Sequence, residues 1–269
     1  MNIFREILKA QEKNRDFAVV TIVKAEGSTP RREKAKMLVF PDGNALGTIG
    51  GGVLEARAIK DAQEAIRRGE SMLVEYSLDD GKERSLPMKC GGDVQLFIEV
   101  FKSKPRLFIV GAGHIGKALS SIAAMLGFEI TVIDDRKEWA NQQRFPEAAN
   151  VLIKKDMSRA FDDIETDEQS FIVIATRGHV HDKAALSSVL HKKAAYIGMI
   201  GSRKKVKEVF RQLMEEGFDR ELLEKVYSPI GLDLGAETPE EIAVSIIAEI
   251  LKVKNNTKGD SLSSRRNEV

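Results

Sequence analysis

Leu107-Phe108-Ile109-Val110-Gly111-Ala112-Gly113-His114-Ile115-Gly116 is the stretch that decides the fold of this 269-residue chain. Four consecutive apolar residues predict a buried strand, and the glycine spacing that follows marks a tight turn opening a helix over residues 115–126. A second apolar strand, 130–133, ends at Asp134-Asp135. In that context Gly111 permits the turn, Gly113 lets the backbone approach a pyrophosphate, and Gly116 lets the helix pack close to the strand. The helix N-terminus adds unpaired N–H groups and positive potential. Asp134 is placed to hydrogen-bond a ribose, while Arg136 beside it leaves room for a 2′-phosphate, so NAD and NADP are not separated.

Downstream, strands at 151–153, 171–175 and 195–200 alternate with helices at 183–191 and 203–216. Repeated strand and helix units imply a parallel, doubly wound sheet of Rossmann type. Thr238-Pro239-Glu240-Glu241 combines a capping box with proline at the first helical position, so a last helix runs over 239–252. Residues 255–269 are polar and aperiodic and read as a disordered tail. Upstream, Lys102-Ser103-Lys104-Pro105 has the composition of a linker. Before it come a helix at 2–14, a strand at 17–25, and a hairpin of 37–40 with 45–49 around Pro41-Asp42-Gly43-Asn44. A helix at 54–68 capped by Gly69 and strands at 72–78 and 94–101 complete this part. The fold class is therefore α/β: an N-terminal α+β domain over 1–102, then a Rossmann-like doubly wound domain over 106–254.

Composition bounds the function. Hydrophobic residues at 42% and charged residues at 31%, with a mean hydropathy of −0.24, describe a globular protein with a real core. A net charge of +1 speaks against non-specific nucleic-acid binding, so any anion site is local. No apolar run approaches the roughly 20 residues that span a bilayer, and the N-terminus lacks the apolar core of a signal peptide. The expectation is a cytoplasmic protein without a membrane or nucleic-acid partner. The single cysteine rules out an intramolecular disulfide framework.

A second glycine-rich turn, Gly47-Thr48-Ile49-Gly50-Gly51-Gly52-Val53-Leu54-Glu55, also leads into a helix. Successive amides around Gly50, Gly51 and Gly52 suit a phosphate; the bland alternative is a tight exit from the hairpin. Gly27-Ser28-Thr29-Pro30-Arg31-Arg32 upstream brings hydroxyls, Ser28 among them, and the Arg31 guanidinium, which could close over the same anion. Cys90 sits between Lys89 and Gly91-Gly92. It is either an inert packing residue or a reactive thiol, and a neighbouring ammonium with flanking glycines favours the thiol. His179 and His181 follow the 171–175 strand, in a ligand-facing loop of such sheets. Two histidines without a supporting cysteine argue for a place at the cleft mouth rather than a metal site.

These segments carry a family resemblance. Together with Tyr196-Ile197-Gly198-Met199-Ile200-Gly201-Ser202-Arg203, and with the run from Ser228-Pro229-Ile230-Gly231 to Thr238-Pro239-Glu240-Glu241-Ile242-Ala243, the chain resembles the XdhC/CoxI family, maturation factors for molybdenum hydroxylases such as xanthine dehydrogenase. The match is in family order over nearly the whole chain. The resemblance implies a chaperone rather than a catalyst, one that binds molybdenum cofactor (molybdopterin), protects it while a cysteine desulfurase installs the sulfido ligand, and delivers it to the apo-hydroxylase. It also implies Cys90 as the residue that senses or holds the molybdenum, since a soft metal centre favours a thiolate. Arg31 and the amides of Gly50 to Gly52 would grip the cofactor's phosphate. One departure is Val53, where many members carry a cysteine after the triple glycine, which leaves a two-thiol mechanism unsupported.

Two other classes compete. A nicotinamide-dependent oxidoreductase would use Asp134 as ribose anchor and His179 or His181 as acid or base, but no catalytic pair can be argued from spacing. A nucleotide-sensing regulator would leave the first glycine turn and Cys90 without a role. A homodimer is expected from the resemblance and because a first domain of about 100 residues gains core by pairing.

Overall fold

The computed structural model describes residues 2–27, 34–77 and 92–265. The chain divides into two compact units, Met1–Ser103 and Lys104–Val269.

The first unit is a five-stranded antiparallel sheet with a helix against each face. Its elements are α1 (Ile3–Glu12), β1 (Phe17–Gly27), β2 (Lys36–Val39), β3 (Ala45–Gly47), α2 (Gly52–Arg68), β4 (Met72–Ser77) and β5 (Gly92–Phe101), with strand order β3-β2-β1-β5-β4. Side chains alternate across a strand, and β1 uses both sides. Ala18, Val20 and Ile22 join the Leu54, Ala58, Ala62, Ala65 and Ile66 stripe of α2 in one core. Phe17 and Val19 meet Ala10 of α1, with Leu38 and Phe40, in a second. Asp16 closes the unit: its carboxylate accepts from the Ser103 amide at 2.7 Å and pairs with Lys102, tying the end of β5 to the start of β1.

The second unit is the doubly wound sheet the sequence implies. β6 (Arg106–Val110), α3 (His114–Met125), β7 (Glu129–Asp134), β8 (Asn150–Ile153), β9 (Ser170–Ile174), α4 (His179–Ser187), β10 (Tyr196–Met199), α5 (Arg203–Glu215), α6 (Arg220–Glu224) and α7 (Pro239–Lys254) follow in order, with 3-10 turns at Met157–Arg159 and Leu262–Arg265. All strand pairs are parallel, in the order β10-β9-β6-β7-β8. Leu107 and Ile109 of β6 pack with Leu119, Ala123, Ile246 and Ile250 beneath α3 and α7. Phe108 and Val110 face the other layer, with Leu186, Val206, Val209 and Leu213 of α4 and α5. The chain leaves β6 toward β7 and returns to β9 on its other side. That reversal lies at the C-terminal end of β6, the place where open α/β sheets form a crevice and bind ligands.

Two departures from the expected bounds have a side-chain cause. The strand expected over 45–49 ends at Gly47, because the Ile49 amide is taken by the Glu55 carboxylate at 3.2 Å instead of by a neighbouring strand. The helix expected over 183–191 begins at His179, so His179 and His181 occupy its first turn and not a loop. The cause is Asp182, whose carboxylate accepts from the amide and hydroxyl of Thr176 and closes the turn early. Among the described residues no helix is long and apolar enough to cross a membrane.

Candidate functional site

At the C-terminal end of β6 the three glycines do three different things. A Cβ on Gly111 would lie 2.1 Å from the Ala175 carbonyl oxygen, so a bare backbone is what lets the turn lie against the end of β9. A Cβ on Gly116 would lie 2.1 Å from the Gly111 oxygen, which is the close helix-to-strand contact. Gly113 has nothing within 4 Å of the equivalent position. It is the N-cap of α3 and makes no side-chain cap bond, so that end of the helix is left to solvent or a ligand.

Asp134, the last residue of β7, is buried, with 4% of its surface exposed. Its two oxygens accept from the Ala112 amide at 2.8 Å, from the Arg136 amide at 3.0 Å, and from Nε and Nη2 on one edge of the Arg136 guanidinium at 2.9 and 3.0 Å. Burial pushes this carboxyl up, but the Arg136 guanidinium and the two amides outweigh it and hold it at about 2. Asp134 was expected to face a ribose; in this arrangement it spends its lone pairs bracing the glycine turn. Arg136 and Arg144 both stack on Trp139, each 4.7 Å from the ring centre, and His114 meets the same ring edge-on at 5.7 Å. The buried Nε of Arg144 has no hydrogen-bond partner among the described residues.

Across the crevice, the segment after β9 carries Arg177. Its guanidinium reaches the Asp135 carboxylate at 2.7 Å, and its Nη2 and Nε lie 3.3 and 3.4 Å from Nε2 of His181. Behind it Asp182 is fully buried and pairs with Lys205 of α5. The loop after β10 and residues 229–236 line a cavity of about 620 Å³ that includes Gly201, Ser202, Arg203 and Gly231. That loop is pinned to α7. The Tyr196 hydroxyl donates to Glu249 at 2.5 Å, the Gly231 amide donates to the same carboxylate at 2.9 Å, and the Ser245 hydroxyl donates to the Leu232 oxygen at 2.5 Å. Burial and the Glu249 carboxylate push the Tyr196 hydroxyl well above the usual tyrosine range, so it stays a donor.

The glycine turn of the first unit is closed by a side chain of the helix it opens. Gly50, Gly51 and Gly52 have φ of +134°, +79° and +63°, a run that turns amides inward. An anion is already there: one Glu55 oxygen accepts from the Thr48 hydroxyl at 2.6 Å, the Ile49 amide at 3.2 Å and the Gly51 amide at 3.1 Å. The Gly50 amide donates to the Thr48 hydroxyl at 3.1 Å. A phosphate at these amides therefore competes with the chain's own carboxylate. Beside the turn is a cavity of about 680 Å³ lined by Thr48, Gly47, Lys34 and Lys36, among others. The two lysines supply the local positive charge that a phosphate needs, and Lys36 is held by the Thr21 hydroxyl at 2.8 Å. Val53, in the first turn of α2, is 41% exposed. Ser28, Arg31 and Cys90 lie outside the described residues. Among those that are described, no group of three or more histidine, cysteine, aspartate or glutamate residues could hold a metal ion.

Sequence reasoning passed over Glu55, Lys34, Lys36 and Arg177. The basic run Arg31-Arg32-Glu33-Lys34-Ala35-Lys36 signalled the lysines. Nothing local signals Arg177, whose partner is 42 positions away.

Comparison with known proteins agrees over both units. The family model for the XdhC Rossmann domain matches residues 107–250, and that for the XdhC and CoxI family matches residues 10–77. YqeB of Escherichia coli (strain K12), an uncharacterized protein, is 39% identical over 96% of this chain and 47% of its own length. A protein of Bacillus subtilis (strain 168) described as a probable xanthine dehydrogenase component is 32% identical over 59% of this chain and 46% of its own. The chain spans about half the length of these two relatives. The molybdenum cofactor insertion chaperone PaoD of Escherichia coli (strain K12) is 22% identical over 96% of this chain and 90% of its own. In fold, the chain is similar to the crystal structure of a xanthine dehydrogenase from Bacillus halodurans, with a TM-score of 0.51 and 22% identity over 96% of this chain and 98% of that one.

Proposed function

Because the chain belongs to the XdhC and CoxI family, we propose that it is a molybdenum cofactor insertion chaperone serving a molybdenum hydroxylase such as xanthine dehydrogenase. It takes molybdenum cofactor as cargo, shields it while a cysteine desulfurase sulfurates it, and hands it to the apo-hydroxylase. It does so in the cytoplasm and as a homodimer. The observation that carries this reading is the likeness to an insertion chaperone over 96% of this chain and 90% of that one, which takes in both units rather than the Rossmann-like unit alone.

The residues fit such a cargo in kind. The cofactor's phosphate calls for cations and amides, which Lys34, Lys36 and the turn of Gly50 to Gly52 supply, with Ser28 and Arg31 from the neighbouring sequence. Glu55 holds that turn closed until an anion replaces it. The molybdenum calls for a soft ligand, for which Cys90 is the one thiol in the chain. The second unit takes a nucleotide, either the cargo's own or a separate dinucleotide such as NAD(P), at the open Gly113 end of α3.

Production of an apo-hydroxylase with and without this chain tests the reading. The expected result is hydroxylase activity and molybdenum content that rise only when the chain is present. Equal activity in its absence, with reduced-nicotinamide turnover by the purified chain, would overturn it in favour of an oxidoreductase.

A further inference from the structure

Arg177 and Asp135 stand on opposite sides of the ligand crevice. Asp135 follows β7 directly and Arg177 lies three residues beyond β9, while β6 runs between those two strands. Their ion pair, 2.7 Å long, therefore joins the two flanks across the end of β6, where Gly111, Ala112 and Gly113 turn into α3. A dinucleotide laid on such a sheet runs along the same line, with its diphosphate at the helix N-terminus and its ribose near the end of β7.

The two partners are not equally fixed. Asp135 is 18% exposed and has Arg136 3.8 Å away on its other oxygen, so it stays with the brace around Asp134. Arg177 is 48% exposed, and its other neighbour is His181 in the first turn of α4, which makes it an arm on a pivot. With its guanidinium half in solvent, this pair is screened and contributes little to stability, so breaking it costs little. A diphosphate at Gly113 offers more negative charge and more acceptors than one carboxylate, and guanidinium binds phosphate through two parallel hydrogen bonds.

We propose that Arg177 is an exchange arm: without ligand it is held by Asp135 across the glycine turn, and a nucleoside diphosphate group replaces the carboxylate and draws Arg177 onto itself. Asp135 is then a competitor for the ligand and Arg177 a specificity residue for the diphosphate. This inference rests on the nucleotide reading of the second unit.

Calorimetric titration of the full chain with ADP, NADH and adenosine tests it, because adenosine lacks the diphosphate. Asp135→Asn releases the arm and should tighten ADP and NADH by about two- to five-fold, the scale of an exposed ion pair. Arg177→Ala should weaken both by roughly ten-fold, and Arg177→Lys by less. Adenosine affinity should be the same in all. Asp135→Asn should give no gain in the Arg177→Ala background, which separates release of the arm from a general change in field. If the wild type binds ADP or NADH but both single variants weaken binding, or both leave it unchanged, the exchange arm is overturned and the nucleotide reading stands. A wild type with no affinity for any diphosphate overturns the nucleotide reading and the arm with it.

Discussion

Both units of this molecule place a glycine-rich turn at the start of a helix, and the two turns are finished in different ways. At α2, a carboxylate of the helix's own first turn, Glu55, folds back onto two amides and a hydroxyl of the turn. At α3, the carboxylate comes from the neighbouring strand, Asp134; of the turn's amides it takes Ala112 alone and gives its other lone pairs to Arg136, so Gly113 and the helix end beyond it stay open. Similar sequence patterns thus give one self-occupied cradle and one left open at its helix end. The difference lies in where the acid sits: inside the turn, or behind it.

The sharpest way to break the comparison is to fill the α3 turn. Gly111→Ala or Gly116→Ala puts a methyl group 2.1 Å from a backbone oxygen, and neither oxygen can swing away. Each should lower stability by about 3 kcal/mol, measured by denaturant unfolding. Gly113→Asp meets open space, so the protein should melt within about 1 kcal/mol of wild type while losing nucleotide binding through steric blockage and like charge. Unchanged affinity for every nucleotide that the wild type binds would mean the site lies elsewhere.

The second test addresses Asp134. Its folded-state value of about 2 lies below the unfolded 3.8, so its contribution is fully present above pH 3.8 and is lost as pH falls through about 2. Asp134→Asn should remove on the order of 2 kcal/mol at neutral pH and flatten the acid limb of the stability curve. A variant with the same acid midpoint as wild type would show that the brace contributes nothing. At α2 the prediction has the opposite functional sign. Glu55→Ala costs about 1 kcal/mol of lost hydrogen bonding, but frees the amides of Ile49 and Gly51, so inorganic phosphate or pyrophosphate should bind more tightly in calorimetry. Weaker anion binding by that variant would mean that Glu55 shapes the site rather than fills it.

These contrasts also mark what a sequence can and cannot reveal. The parallel sheet was legible because Leu107, Phe108, Ile109 and Val110 form an apolar run with no polar face, as a strand covered on both sides must. The start of α7 was legible from Thr238 and Glu241, since a capping box is a local bond pattern. The start of α4 was not, because it depends on the Asp182 side chain bonding Thr176, which no periodicity reports. The closed state of the first cradle was hidden for a related reason. An acid at the fourth residue of a helix usually reads as a favourable partner of the helix dipole, and whether it folds back onto the turn depends on the φ of three glycines. The Arg177 to Asp135 pair was out of reach altogether, because strand order, not sequence distance, brings its two ends together.

The central claim, that the chain carries molybdenum cofactor through a thiol, is tested most directly by the metal and pterin content of the purified protein. Wild type and Cys90→Ser, each isolated from cells making the cofactor, are assayed for molybdenum by mass spectrometry and for pterin by fluorescence after release. Both are expected in wild type, in equal amounts, with a loss of most of the molybdenum from Cys90→Ser at unchanged thermal stability. Wild-type protein free of both, or a Cys90→Ser variant that retains its full load, would contradict it.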